Sequence, residues 1–102
     1  MNYDVFSEKF DYYASVAKAN DLKSVWSIYE VEDLEEKFSE SGEAVVVSYE
    51  GVEVPVEGDR YLDLYIASDK AIWESGDHHH VYIEGFELKG GKSLVLSLIA
   101  GS

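Results

Sequence analysis

Short segments with the composition of β-strands follow one another from residue 44 to the C-terminal region, and this pattern limits the fold more than any other. The segments are rich in β-branched, leucine and aromatic residues and are separated by Gly, Asp and Ser. The predicted strands are residues 44–49, 52–56, 60–67, 80–88 and 93–99. Their connections contain two-residue and three-residue turns, which are typical of hairpins. The pattern therefore predicts an antiparallel β-meander of about five strands.

Two local irregularities refine the predicted sheet. In the segment 80–88, apolar residues are odd-numbered up to Ile83 but even-numbered from Phe86, so the alternation changes phase near Gly85. One extra residue restores the period of two, which predicts a β-bulge at Gly85. Pro55 has no amide hydrogen for a neighbouring strand, so its strand is predicted to lie at an edge.

The N-terminal part of the chain has a helical pattern instead. Apolar side chains recur three to four residues apart over residues 4–19, as on one face of an amphipathic helix. Residues 24–31 are mostly β-branched or aromatic and predict a strand covered on both faces. An Asp-x-x-Glu capping box predicts a short helix over 33–42. These elements predict one α+β domain, residues 1–102, with the helices packed against the sheet.

Acidic residues outnumber basic residues by a wide margin. The chain contains 21 Asp and Glu against 8 Lys and Arg, which gives a formal net charge of -13 at pH 7. This charge repels polyanions, so we expect no direct binding to nucleic acid or to an anionic membrane. It also accelerates encounters with cationic surfaces. We therefore predict a basic protein as the partner.

Other features of the composition exclude whole classes of chemistry. The chain has no cysteine, so disulfides, thiolate nucleophiles and cysteine-ligated zinc are excluded. Residues 1–10 lack the apolar run of a signal peptide, and the apolar stretch 94–100 is too short to cross a bilayer. These features predict a cytoplasmic protein. No serine lies in a nucleophile elbow, so we expect a binding protein rather than an enzyme.

Carboxylates and tyrosines mark the predicted docking surface. Acidic residues concentrate around the end of the predicted first strand and in the predicted second helix. Alternation along the predicted strand 60–67 places two tyrosines and an aspartate opposite the leucine face, a composition typical of protein interfaces. Two alternatives stay open: the carboxylates form a solvated face, and a helix covers the tyrosines. The predicted partner-binding residues are Glu30, Glu32, Asp33, Glu35, Glu36, Tyr61, Asp63 and Tyr65.

A run of three histidines directly follows Asp77. If this segment is extended, His78 and His80 project to one side, where they can bind a divalent transition metal with Asp77 as an oxygen ligand. An imidazole also titrates near neutral pH and can act as a general base, but the sequence defines no nucleophile for it. The alternative is a solvated turn with no metal, and the composition gives no sign of another cofactor.

The sequence thus favours a non-catalytic, acidic protein-binding module, such as an inhibitor, an antitoxin-like protein or an immunity-type protein. One alternative is a domain that binds a small ligand or a metal, using the pocket between helix and sheet together with the His78–His80 turn. Another is a structural subunit that forms a homodimer or larger oligomer through a strand edge.

Overall fold

The computed structural model describes residues 3–28, 31, 33–38, 45–77, 79–89 and 94–101. Two helices and a five-stranded sheet confirm the predicted α+β class. The elements in chain order are α1 (Tyr3–Ala19), β1 (Val25–Trp26), β2 (Val45–Tyr49), β3 (Val52–Pro55), α2 (Tyr61–Ser75), β4 (Tyr82–Lys89) and β5 (Leu94–Gly101). No described helix is long and apolar enough to cross a membrane.

The sheet is mixed, so the predicted meander is wrong. Its strand order is β1-β4-β5-β2-β3. The pairs β2–β3 and β4–β5 are antiparallel, whereas β1–β4 and β2–β5 are parallel. Parallel neighbours require a long crossover, and α2 supplies one between β3 and β4. The prediction failed because it contained no helix between those strands.

The predicted strand 60–67 is the first half of α2. Over the whole helix, buried residues recur at helical spacing, and Tyr65 is 1% exposed while the neighbouring Ile66 is 39% exposed. The Asp63 carboxylate accepts a hydrogen bond from the Arg60 backbone N–H at 3.1 Å, which satisfies a free donor at the helix start. Gly76, with a φ of 81°, ends the helix in the left-handed conformation. The turn predicted at 75–77 is therefore a helix end rather than a hairpin.

Two further N-terminal predictions need correction. Of the described residues in the strand predicted over 24–31, only the two residues of β1 are in a strand, and residues 27–28 are not. The described part of the helix predicted over 33–42 is a turn followed by a bridge from Lys37 to Arg60. Residues 39–42 lie outside the described residues. The Asp33 carboxylate does cap this segment, because it accepts a hydrogen bond from the Glu35 N–H at 2.9 Å, but no helix follows.

Three local predictions about the chain are confirmed. The first helix occupies Tyr3–Ala19, close to the predicted range. The register of β4 against β5 shifts between Ile83 and Gly85, which is the predicted bulge. Pro55 lies on β3, an edge strand of the sheet. The β2–β3 hairpin turns at Glu50 and Gly51, whose φ angles of 50° and 82° are typical of a two-residue turn.

Both helices contribute to one core on a single face of the sheet. Tyr13 of α1 and Tyr65 and Ile72 of α2 pack in the same cluster as Val47 of β2 and Ile83 of β4. The polar centre of this layer is Asp69, which is 8% exposed. Its Oδ1 accepts hydrogen bonds from the Lys23 N–H, the Ser24 N–H and the Ser24 hydroxyl at 2.7–2.9 Å. Asp69 thereby joins the segment before β1 to α2.

Candidate functional site

Two of the three described carboxylates in the predicted acidic segment have partners within the protein. Asp33 accepts a hydrogen bond from the Tyr12 hydroxyl at 3.1 Å in addition to its own capping bond. Glu35 Oε2 lies 2.6 Å from the Arg60 guanidinium. Glu36 is exposed and forms no ion pair with a described side chain. Glu30 and Glu32 were also predicted here and lie outside the described residues.

The residues Tyr61, Asp63 and Tyr65 do not share an exposed face. Tyr65 is buried, donates a hydrogen bond to the Ser24 carbonyl at 2.6 Å, and has its pKa raised by burial to about 12. Tyr61 is half-buried against the rings of Trp26 and Phe38. The alternative, in which these residues belong to the helix-covered layer, therefore describes the tyrosines better.

Asp63 is paired rather than free. Its carboxylate contacts the Arg60 guanidinium at 3.1 Å. Burial alone would raise the pKa of Asp63, but the hydrogen bonds from the Arg60 side chain and backbone outweigh burial and lower it. The charge of Asp63 thus stabilises the beginning of α2 and is not available to a partner.

The histidine turn is organised around Asp77. Asp77 Oδ1 accepts hydrogen bonds from the backbone N–H groups of His79 and His80, and its Oδ2 accepts one from the Tyr49 hydroxyl at 2.5 Å. His80 Nδ1 also lies 2.9 Å from Oδ2. The Tyr49 hydroxyl, followed by the His79 N–H, lowers the pKa of Asp77 well below its ordinary value. Both oxygens of Asp77 are therefore engaged within the protein.

This arrangement changes the chemistry expected of the predicted metal ligands. His78 lies outside the described residues. The Oδ2 atom of Asp77 contacts Nδ1 of His80, so Asp77 does not offer a free oxygen ligand beside that ring. A carboxylate in this position fixes the orientation of a histidine ring. Among the described residues, no three His, Asp or Glu side chains could hold a metal ion together. A metal at this turn stays a prediction.

A shallow groove of about 460 Å³ borders Asp77 and His80 and is lined on its other side by Leu98 and Ile99. A separate pocket between α1, β1 and α2 shares no lining residue with this groove. The sequence had combined the helix–sheet pocket and the histidine turn in one ligand site. Within the part of the chain that is described, the two are different places.

The sheet face opposite the helices is here called the open face. No described helix or strand packs on it. Strand alternation and register assign its residues, with the bulge placing Glu84 beside Gly101. The described side chains of the open face are Val46, Ser48, Glu53, Pro55, Tyr82, Glu84, Glu87, Val95, Ser97 and Ile99.

Register aligns four residues of the open face in one row across the sheet. Glu87 pairs with Ser97, Ser97 with Ser48, and Ser48 with Glu53. The row crosses three strand spacings, so its two glutamates stand about 14 Å apart. The apolar pair of Val46 and Val95 flanks this row on one side. The row therefore places two well-separated carboxylates on the open face.

Apolar side chains accompany these carboxylates. Ile99 and Tyr82 are each 42% exposed, which is high for large hydrophobic residues. Glu53, Glu84 and Glu87 are exposed, and none forms an ion pair with a described side chain. The sequence signal for this surface is the alternation of Glu and Val in the strands, which does not by itself determine which sheet face stays uncovered.

Searches against protein-family models, curated proteins and solved structures find no match to this chain, so its function is argued from its own residues.

Proposed function

We propose that the protein is a non-catalytic binding module that docks a basic protein on the open face. The observation that carries the proposal is the group of exposed glutamates on the open face that form no ion pair with a described side chain. The open face presents Glu53, Glu84 and Glu87 without a described cationic partner. A cationic surface placed there would gain contacts that the molecule itself does not supply.

Most of the described basic residues lie on the other side, on a helix or in a loop. They are Lys9, Lys18, Lys23, Lys37, Arg60 and Lys70. Lys89 is the exception, because it ends β4 and pairs in register with Val95 of the open face. Arg60 and Lys37 also compensate acidic residues locally, because Arg60 pairs with Glu35 and Asp63 and Lys37 with Asp59. The helix layer is thus partly neutralised, while three exposed glutamates against one strand lysine leave the open face with an excess of negative charge.

The apolar residues of the open face supply contact area for the same partner. Ile99 and Tyr82 would be covered by apolar side chains at the centre of the interface, while cations of the partner reach the surrounding glutamates. Tyrosine adds a large contact surface at a small cost in conformational entropy. A partner with apolar residues among lysines and arginines fits this surface better than a uniformly charged one.

Such a surface suits an inhibitor, an antitoxin-like protein or an immunity-type protein. A basic partner that handles nucleic acid has a cationic site built for phosphates. Carboxylates spaced along a rigid sheet can occupy that site and exclude the nucleic acid. In this proposal the protein acts by occupying a surface and performs no chemistry of its own.

Two charge-matched triple variants test the proposal. The open-face variant carries Glu53→Gln, Glu84→Gln and Glu87→Gln, and the control carries Glu8→Gln, Asp11→Asn and Glu74→Gln, which are exposed on the helices. Each variant changes the net charge from -13 to -10. An oligolysine peptide is titrated into the labelled proteins and amide shifts are mapped by NMR. We expect the open-face variant to bind at least about tenfold more weakly than the control.

The same three proteins are used as bait in native lysate at low and high salt. A native partner of the proposed kind has a high isoelectric point, is retained by the wild type and the control, and is lost from the open-face variant. Equal losses from the two variants would mean that only net charge matters and would overturn the proposal. Shift changes confined to the helices would also overturn it.

A further inference from the structure

A second binding site is indicated by the pocket between α1, β1 and α2, here called the α1 pocket. Its volume is about 440 Å³, within the range of about 300–1,000 Å³ that small-molecule sites occupy. Trp26 and Tyr65 line it from the core, and each is 1% exposed. Phe10 of α1 also lines it and remains 47% exposed. Trp26 and Tyr65 thus close the inner end of the pocket, and Phe10 supplies the aromatic surface that a ligand of moderate size can reach.

Small side chains on α1 account for the space. Ala14 and Ala17 line the pocket at positions where a larger apolar residue would reach the core. The helix is held mainly elsewhere, since the Tyr13 hydroxyl donates hydrogen bonds to the Ile28 and Val31 carbonyls. These bonds fix α1 to Ile28 and Val31 without filling the gap beside Ala14 and Ala17.

The charge at the pocket is opposite to that of the molecule. Lys18 and Lys23 both line it, against a single carboxylate from Asp21. Lys18 is exposed and forms no ion pair with a described residue. The Lys23 ammonium lies 5.2 Å from the ring centre of Trp73, which holds it near the pocket. Two lysines beside aromatic surface favour an anion with an apolar body.

We propose that the α1 pocket binds a small amphipathic monocarboxylate. Its aliphatic or aromatic body would lie against Trp26, Tyr65 and Phe10, and its carboxylate would pair with Lys18, with Lys23 close by. This site is on the opposite side of the sheet from the open face and does not depend on the docking proposal. Filling the pocket would cover Phe10 and add contacts between α1 and the core.

Three probes with the same chain length separate apolar fit from charge recognition: octanoate, octan-1-ol and octylamine. Binding is followed by tryptophan fluorescence, because Trp26 lines the pocket, and by calorimetry. We expect octanoate to bind most tightly. Lys18→Gln should weaken the binding of octanoate by about fivefold and leave the binding of octanol unchanged. The matched control is Lys70→Gln, because Lys70 is an exposed lysine of α2 outside the pocket, and this variant should change neither affinity.

A second variant tests the location. Ala17→Leu adds bulk inside the pocket at a half-buried position and should weaken octanoate and octanol together. Unchanged octanol binding by Lys18→Gln shows that this variant is folded. The proposal is overturned if octanoate does not bind, if the three probes bind equally, or if Lys18→Gln and Lys70→Gln have the same effect. Undiminished octanoate binding by Ala17→Leu would also overturn it, without bearing on the open face.

Discussion

Asp69 is the residue that joins the N-terminal segment to the rest of the molecule. It is buried in α2, and one of its oxygens accepts three hydrogen bonds from Lys23 and Ser24. Tyr65 supplies a fourth link to the same segment through the Ser24 carbonyl. Since β1 follows directly, these bonds position Trp26 in the core. They also hold Lys23 and Ser24, which line the α1 pocket.

Replacing Asp69 by alanine removes the acceptor and leaves three donors without their partner. We expect a loss of roughly 3 kcal/mol in the free energy of unfolding, because buried donors that lose a charged acceptor are costly. Urea denaturation followed by circular dichroism measures it. Asp11→Ala, an exposed aspartate of α1, should change stability by less than about 0.5 kcal/mol. Equal effects of the two variants would contradict the role given to Asp69.

At this scale the sequence identified residue types but not their partners. Asp63 and Glu35 were predicted as free docking carboxylates, yet both contact Arg60. Glu35 and Arg60 are 25 positions apart, so only the folded chain brings them together. At the histidine turn, the Tyr49 hydroxyl that bonds to Asp77 comes from a distant strand. Long-range pairs of this kind have no signal in local composition.

Among the elements, α2 decides the topology and was the one most misjudged. Alternation of leucine and tyrosine over residues 60–67 fits a strand, but the helical spacing becomes clear only over the full length of Tyr61–Ser75. Short apolar runs do not distinguish the two structures. The bulge at Gly85 was predictable from the change of phase in the apolar alternation, and the edge position of Pro55 from its missing amide hydrogen, because both signals are local.

Acid should weaken α2 through the aspartates at its two ends. The pKa values of Asp63 and Asp77 are lowered in the folded protein. A lowered pKa contributes stability above the unfolded value of about 3.9, and this contribution is lost as the pH falls toward the folded value. We expect Asp63→Asn to be less stable than the wild type by about 1 kcal/mol at pH 6, with the difference shrinking below about pH 4.

Urea denaturation at several pH values measures this difference. Asp11→Asn is the control, since Asp11 is exposed and has no hydrogen bond to a described residue. Its stability relative to the wild type should be nearly constant with pH. If the difference in stability between Asp63→Asn and the wild type grows as the pH falls, the pairing of Asp63 with Arg60 is contradicted.

For the whole molecule, charge opposes folding and favours association. A net charge of -13 on a chain of 102 residues means that most carboxylates repel one another when the chain is compact. Among the described side chains, Lys37 and Arg60 form ion pairs with carboxylates, and these pairs offset a small part of this repulsion. A cationic partner would relieve the repulsion and thereby stabilise the fold.

Salt should therefore stabilise the protein. Raising NaCl from about 10 mM to about 500 mM shortens the screening length from roughly 30 Å to a few Å. We expect the melting temperature to rise by about 4 °C or more, the shift for about 1 kcal/mol in a domain of this size. Thermal denaturation followed by circular dichroism measures it. A lower melting temperature in salt would mean that the ion pairs outweigh the repulsion.

The edge strand β3 has a consequence for how the protein behaves at high concentration. The Val56 N–H bonds to the Val45 carbonyl, so by alternation Glu53 and Pro55 direct their backbone groups away from the sheet. Proline has no amide hydrogen, which leaves Glu53 as the one outward donor of this strand. At the opposite edge, β1 has only two residues. Both borders of the sheet thus offer few free backbone groups, which disfavours edge-to-edge pairing with another chain at high concentration.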